Sequence, residues 1–226
     1  MPKFTLSMLA VFFITLLFFN GCSDDDSPNQ QNTINGSGKI ITETRTVGEC
    51  SGIVIASAGN VELLQSTAQE IRVEADDNII NDVITVKENG LLKVGLKQKS
   101  YSNIKVKVYA SLTSIRKCEI QGAGNIECEQ PITSDSLYLF INGAGNIKLK
   151  GTGNYLNCLI SGAGNIEAQQ YITKECYAVT KGVGNCTINV TDKLDASVEG
   201  VGSIFYYGNP KDVNTKVSGV GSIVKK

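Results

Sequence analysis

The pentapeptide GAGNI stands at 122–126, 143–147 and 162–166, and continues as GVGNC at 182–186 and as GVGSI at 200–204 and 219–223. The first glycines of these six copies are 21, 19, 20, 18 and 19 residues apart. Weaker copies precede them, GSGKI at 36–40 and SAGNV at 57–61. A period of about 20 held over six copies restricts the chain to a solenoid or array, in which each unit rests mainly on its neighbours.

The flanks of each copy set the secondary structure. Two residues before the first glycine lie Ile120, Ile141, Ile160, Thr180, Val198 and Val217. Four residues after it lie Ile126, Ile147, Ile166, Cys186, Ile204 and Ile223. Six before it, from the second copy on, lie Leu137, Leu156, Cys176, Leu194 and Val213. The intervening residues are mostly polar, so the period is two, the pattern of a half-buried strand. Each unit reads strand, Gly-x-Gly bend, strand, returning turn, with TGN at 152–154, TDK at 191–193 and YGNPKD at 207–212 as the turns. Strands one period apart then pair in parallel at about 4.8 Å and stack like residues into columns. The predicted fold is all-β: a single-domain parallel β-helix or β-solenoid with coils of about 20 residues. A β-sandwich-like antiparallel meander with a hairpin at each GAG is the alternative that the same strands permit. One outward column, Glu127, Lys148 and Glu167, alternates in sign, as stacked strands favour.

The glycine pairs are read as structural: Gly122 with Gly124, Gly143 with Gly145, Gly162 with Gly164, Gly182 with Gly184, Gly200 with Gly202, and Gly219 with Gly221. A sharp corner needs positive φ or close backbone approach, and both are cheap only without a Cβ. A dinucleotide loop would need GxGxxG opening a helix, whereas here a strand follows each time. Asn125, Asn146, Asn165 and Asn185 follow the second glycine, with Ser203 and Ser222 in the last two copies. Calcium repeats carry a carboxylate there, and neutral oxygens alone hold the ion poorly. These residues are expected to form a ladder of amides between coils, so no metal, cofactor or catalytic residue is assigned.

Residues 38–115 are less regular but β-rich, in segments such as IVIAS, EIRVEAD and LLKVGLK. They are expected to be distorted early coils of the same domain, residues 38–226, with the regular repeats at 116–226. Asp76, Asp77 and Asp82 are the one dense carboxylate group after the N-terminal segment. Their place in an irregular stretch reads as turn and cap chemistry rather than as a glycosidase pair. Net charge is −1, which gives no electrostatic basis for nucleic-acid binding. Histidine, the commonest general base and metal ligand, is absent, and so is tryptophan, while eight tyrosines remain.

Residues 1–21 read as a signal peptide. An apolar run from Phe4 to Phe19 follows Lys3 and ends at Gly21-Cys22 before the acidic SDDD. This resembles the bacterial lipoprotein signal, with Phe19 and Asn20 departing from its strictest form. It implies Cys22 as the lipid-bearing first residue, a polar tether over 22–37 and attachment to a membrane through the lipid. Six further cysteines could form three disulfides outside the cytoplasm. However, Cys118, Cys128, Cys158, Cys176 and Cys186 fall in inward columns, and Cys50 lies off the repeat. Cys118 and Cys158 sit two coils apart, too far for a bridge. Pairs flanking one bend, Cys118–Cys128 and Cys176–Cys186, stay open beside the reading as small buried hydrophobes.

The segments ECSGIVIASAGNVELLQ and IRVEADDNIINDVITVKENGLLKV, followed by the GAGNI and GVGSI repeats, resemble the head GIN domain family over about residues 48–226. Cys50 replaces a phenylalanine of that pattern. The resemblance implies a β-helix-like fold, an extracytoplasmic setting and the adhesin description given to such Bacteroidetes lipoproteins. It supplies no catalytic residues. The expected function is a non-enzymatic, adhesin-like binding or scaffold module, lipid-anchored in the outer membrane, displayed on the cell surface with the periplasmic face as the alternative, and binding a carbohydrate or a protein. The alternatives are a carbohydrate-active enzyme on the same scaffold, marked by charged residues clustered in a groove, or a self-assembling envelope protein. The last coil, VNTKVSGVGSIVKK, has no later coil to pair with. It is expected to dock on a second copy, giving a homodimer, or to be covered by the irregular N-terminal region.

Overall fold

The computed structural model describes residues 33–226, which belong to one compact unit. The signal segment and Cys22 lie outside the described residues. Every pairing among the repeats is parallel, which excludes the antiparallel meander there. Each coil has three sides. The first side stacks Lys117–Ile120 on the C-terminal parts of Ala123–Ile141, Ala144–Ile160, Ala163–Thr180 and Cys186–Val198, and ends at Asp212–Val217. The second side follows the bend and aligns Ile126 with Ile147, Ile166, Cys186, Ile204 and Ile223 in turn. The third side aligns Thr133 with Thr152 and Ile172.

The corner between the second and third sides is a bulge rather than a turn. Register shifts between Cys128 and Ile132 and between Lys148 and Lys150 mark it. TGN at 152–154 and TDK at 191–193, read from the sequence as returning turns, therefore lie inside strands. The bulge bends the strand while the ladder resumes on its far side. YGNPKD does interrupt the strands, between Val201–Tyr207 and Asp212–Val217. The core fills the space between the three sides. Ile120, Ile141, Ile160, Thr180 and Val198 are all 0% exposed, and Ile126, Ile147, Ile166, Cys186 and Ile204 are at most 1%. On the third side, Gly151 stacks between Ile132 and the fully buried Tyr171, whose hydroxyl donates to Ser134 O at 3.1 Å.

Residues 38–115 are more than distorted coils. Gly52–Ile55 and Ala58–Gln65 form one true parallel coil, stacked directly on Lys117–Ile120 and Ala123–Glu127. Beyond it, Leu91–Leu96 and Val106–Leu112 continue both sides in parallel. The sheet then turns antiparallel. Val83–Glu88 pairs with Leu91–Leu96, Glu70–Asp76 with Val106–Leu112, and Ile40–Arg45 with Glu70–Asp76. For the first of these pairs the reason is local: Asn89 and Gly90 have φ of 52° and 79°, the Asn-Gly conformation that closes a tight hairpin. The result is a cap over the N-terminal end of the apolar columns. Ile34–Asn35 pairs with Tyr101–Ser102, so the chain is fastened to this cap before residue 37, where the polar tether was expected to end.

Candidate functional site

The repeated bend is architecture, and its two glycines have different tasks. The first of each pair, at Gly122, Gly143, Gly162, Gly182, Gly200 and Gly219, needs no positive φ. It serves close approach: a Cβ at Gly143 would strike the Gly122 carbonyl in the coil below. The second, at Gly124, Gly145, Gly164, Gly184 and Gly202, has φ between +146° and +152°. A Cβ there would also collide with a carbonyl below, that of Gly124 for Gly145, Gly145 for Gly164, Gly164 for Gly184 and Gly184 for Gly202. These five therefore serve both approach and conformation. Gly221, in the last coil, departs from them: it lies outside the positive-φ region and is required only by its approach to the Gly202 carbonyl.

Beside the bend, each asparagine Oδ1 accepts from the next coil. Asn146 N and Nδ2 donate to Asn125 Oδ1 at 3.1 and 3.0 Å, and Asn165 N and Nδ2 to Asn146 Oδ1 at 3.1 and 2.9 Å. The series begins one coil earlier at Asn60, continues through Asn185 to the Ser203 N–H, and ends with the Ser203–Ser222 hydroxyl pair at 3.1 Å. These amide oxygens face the next coil, so the row offers no open set of ligands.

Cys50, Cys118, Cys128, Cys158, Cys176 and Cys186 are free thiols, all buried. Burial pushes the Cys128 thiol up to about 11, and it holds Cys118 well above the ordinary range. Such thiols are poor nucleophiles at neutral pH. Burial holds the Cys158 thiol well above its ordinary range, and the neighbouring Cys158 thiol together with burial raises Cys186. The aspartates hold the cap. Asp76 accepts from Gly38 N at 2.7 Å and Lys105 N at 2.6 Å, and Asp77 from Ser37 Oγ at 2.6 Å. Asp82 takes Lys99 Nζ at 2.8 Å, with Lys97 and Tyr101 also bonded to it. Among the described residues, no group of three or more His, Cys, Asp or Glu is placed to hold a metal ion.

Two outer surfaces have the makings of a site. On the first side, the outward position three residues before the bend holds Glu119, Phe140, Leu159 and Val179 in register. The outward position two residues earlier holds Lys117, Tyr138, Asn157 and Tyr177, and Tyr155 stands beside them. An aromatic and apolar patch therefore lies on the outside of the first side, away from the core, with Val179 covered by its neighbours at 2% exposed. Tyr138 and Tyr177 are 38% and 44% exposed. Tyr138 meets Phe140 and Tyr155 edge-on, with ring centroids 6.1 and 6.2 Å apart. Burial pushes the Tyr155 phenol up. At the N-terminal margin, Lys117 Nζ lies 5.1 Å from the Phe140 ring centre and 2.6 Å from Glu119. Burial alone would raise the Glu119 carboxyl, but bonds from Lys117, Gln121 and Asn142 hold it below its ordinary value. The Glu119 cluster thus fixes one edge of the patch.

The second surface is a depression of about 310 Å³ at the bulged corner. Its walls are Glu127, Glu129, Lys148, Lys150 and Glu167, over Cys128 and Leu149. Glu127, Lys148 and Glu167 do stack in register as alternating charges. Toward the N-terminus the same column sets Glu62 against Glu127, and Glu62 pairs instead with Lys107 at 2.7 Å. The sequence reading found this column but missed the aromatic patch. The signal for the patch was present: three successive copies carry Phe, Leu and Val at a position whose parity points outward.

A family model described as "Putative auto-transporter adhesin, head GIN domain" matches residues 49–210. A comparison with curated proteins gives no match. Among solved structures, a putative adhesin from Bacteroides fragilis is similar at 27% identity and a TM-score of 0.71, over 85% of this chain and 100% of that one. A putative adhesin from Parabacteroides merdae shares the fold at 20% identity and TM-score 0.55, over 85% and 99% of the two chains. A putative lipid binding protein from Parabacteroides distasonis shares it at 19% identity and TM-score 0.53, over 86% and 99%. The family model spans well over half of the sequence, and the chain belongs to the head GIN domain family.

Proposed function

We propose that this chain is a lipid-anchored binding module of the outer membrane, displayed at the cell surface, that takes carbohydrate on the aromatic face of its coil stack without chemical turnover. The family's description as adhesins supports the non-enzymatic reading. The sequence around Cys22 supports the anchor, and Cys22→Ala is expected to abolish metabolic lipid labelling. The observation that carries the binding surface is Tyr138, Phe140, Tyr155 and Tyr177 standing outward on the first side of the coil stack. Exposed apolar patches edged by polar groups mark interaction sites. A sugar ring offers an apolar C–H face ringed by hydroxyls. Tyrosine rings match that face, and Asn157, Glu175 and Asp195 lie at hand for the hydroxyls.

A printed array of neutral and acidic oligosaccharides, probed with residues 32–226, tests the reading. The wild-type domain is expected to bind. The double variant combining Tyr138→Ser with Tyr177→Ser is expected to lose that binding at nearly unchanged melting temperature, because both residues are exposed. Binding that survives the double variant would move the site elsewhere. The charged depression favours a second reading, a carbohydrate-active enzyme using Glu127 and Glu167. These stand two coils apart, about 10 Å by strand spacing, at the far limit for an inverting carboxylate pair. Lys148 lies between them, where water and the scissile bond would need to sit, so binding is the better supported function. Release of reducing sugar from an array-positive glycan, lost in Glu127→Gln, would reverse that ranking.

A further inference from the structure

The two ends of the solenoid differ. At the C-terminal end, Asp212–Val217 pairs with Lys193–Val198 and Val220–Lys225 with Val201–Tyr206. Among the described residues, no strand pairs with their other edges. The columns open there as well. Leu194 and Val198 are 0% exposed, whereas their counterparts in the last coil, Val213 and Val217, are 43% and 47% exposed. Ser218 donates its N–H to Val198 O. By strand alternation, the N–H and C=O groups of Val213, Thr215 and Val217 then point away from the stack, unpaired. The N-terminal region, which the sequence offered as a cover, instead caps the opposite end.

That opposite end is a poor receptor for this edge. Its antiparallel border strands carry Glu43, Arg45, Lys87 and Glu88, the charged blunting that discourages strand addition. A head-to-tail stack, which would grow into a fibre, is therefore disfavoured, and the open coil itself is left as the complementary surface. We propose that the C-terminal coil docks on the same coil of a second copy, with a two-fold axis through Thr215. Strands related by such an axis pair antiparallel. About Thr215, Val213 faces Val217 of the second copy and the reverse, so all four half-exposed valines are covered. The unpaired backbone groups of Val213, Thr215 and Val217 then bond to one another. On the outer face Asn214 meets Lys216, and no like charges stand opposed. An axis through Asn214 would instead oppose Asp212 with Lys216 but would bring Val217 against Lys211. Covering the valines outweighs two exposed ion pairs, so the Thr215 axis is preferred.

Light scattering on residues 32–226 is expected to give a dimer at high micromolar concentration. Asn214→Lys opposes lysine to Lys216 twice per interface and is expected to raise the dissociation constant about tenfold. Adding Lys216→Asp to it is expected to restore the dimer. Asn214 and Lys216 are exposed outer-face residues, so melting temperature serves as the check that these variants fold. Thr215→Cys is expected to cross-link to itself on mild oxidation, because hydrogen-bonded antiparallel partners hold their Cα atoms about 5.5 Å apart, within disulfide reach. Asn214→Cys is expected not to. The native thiols of this unit are buried and leave the new one accessible. A monomeric wild type at that concentration overturns the proposal, as does a dimer that Asn214→Lys leaves unchanged. Cross-linking through Asn214→Cys but not Thr215→Cys overturns the Thr215 axis.

Discussion

Thr180→Val is expected to make this protein more stable. Thr180 occupies the inward column of Ile120, Ile141, Ile160 and Val198 and is 0% exposed. Its Oγ1 has no hydrogen-bond partner. A hydroxyl buried without a partner costs on the order of 1–3 kcal/mol. Valine has nearly the same shape and replaces the hydroxyl with a methyl, so the space is kept and the desolvated oxygen is removed. The expected gain is about 1–2 kcal/mol. For a domain of this size that corresponds to a rise of about 3–6 °C in melting temperature. The assay is thermal unfolding of residues 32–226 followed by circular dichroism. The mirror substitution Ile160→Thr, one coil away in the same column, should cost about 2–4 kcal/mol, since it adds an unpaired hydroxyl and removes apolar volume. A Thr180→Val variant that melts at or below the wild-type temperature would refute the reasoning, because its hydroxyl would then have to be contributing a bond.

The bend can be tested in the same way: Gly145→Ala is expected to cost at least about 2 kcal/mol, from positive φ and the collision with Gly124 O. Ala144→Val, at the exposed position that is already valine in the last three copies, should change stability by under about 0.5 kcal/mol. Bonding to Lys99 holds the Asp82 carboxyl below its ordinary value, so its contribution to stability is present above the unfolded value of about 4 and is lost as pH falls through the folded one. Accordingly Asp82→Asn should lower the melting temperature at neutral pH, and the gap from wild type should close toward low pH; a gap independent of pH would show that the charge is not what matters. The six buried thiols should be silent to Ellman's reagent in native residues 32–226 and should all react in denaturant; fast native reaction of any one would contradict its burial.

The parts of this fold that repeat were legible because repetition turns burial into a column. Ile126, Ile147 and Ile166 share one environment, so the sequence shows their inward direction three times over. The same logic reached the asparagines, whose bonding partners are the same residue one coil away. It reached the glycines only in part: Gly164, Gly184 and Gly202 repeat the strained corner of Gly145, whereas Gly59 and Gly221, at the two ends of the series, carry the same letter without the positive φ. The cap was not legible in this way, since its strands occur once. Even so, Asn89-Gly90, set between two alternating segments, was a hairpin signal that the search for coils passed over. TGN and TDK looked like turns by composition, yet a bulge bends the chain without ending the strand, and only the partner register reveals that. The aromatic patch depends on which outward residues become neighbours across coils. Tyr138, Asn157 and Tyr177 are far apart in sequence and acquire meaning only once the register is fixed. The open C-terminal edge was visible as a last copy, but the use of the N-terminal region as a cap at the other end was not.

The most direct test of the account is to watch the tyrosines during ligand binding. Residues 32–226 labelled with fluorotyrosine and titrated with an array-positive oligosaccharide should show ¹⁹F shifts at Tyr138, Tyr155 and Tyr177. Tyr171, fully buried on the third side, and Tyr109, at the N-terminal part of the stack, should stay fixed. Shifts absent from the first three tyrosines while the glycan is demonstrably bound would contradict the aromatic face as the binding surface.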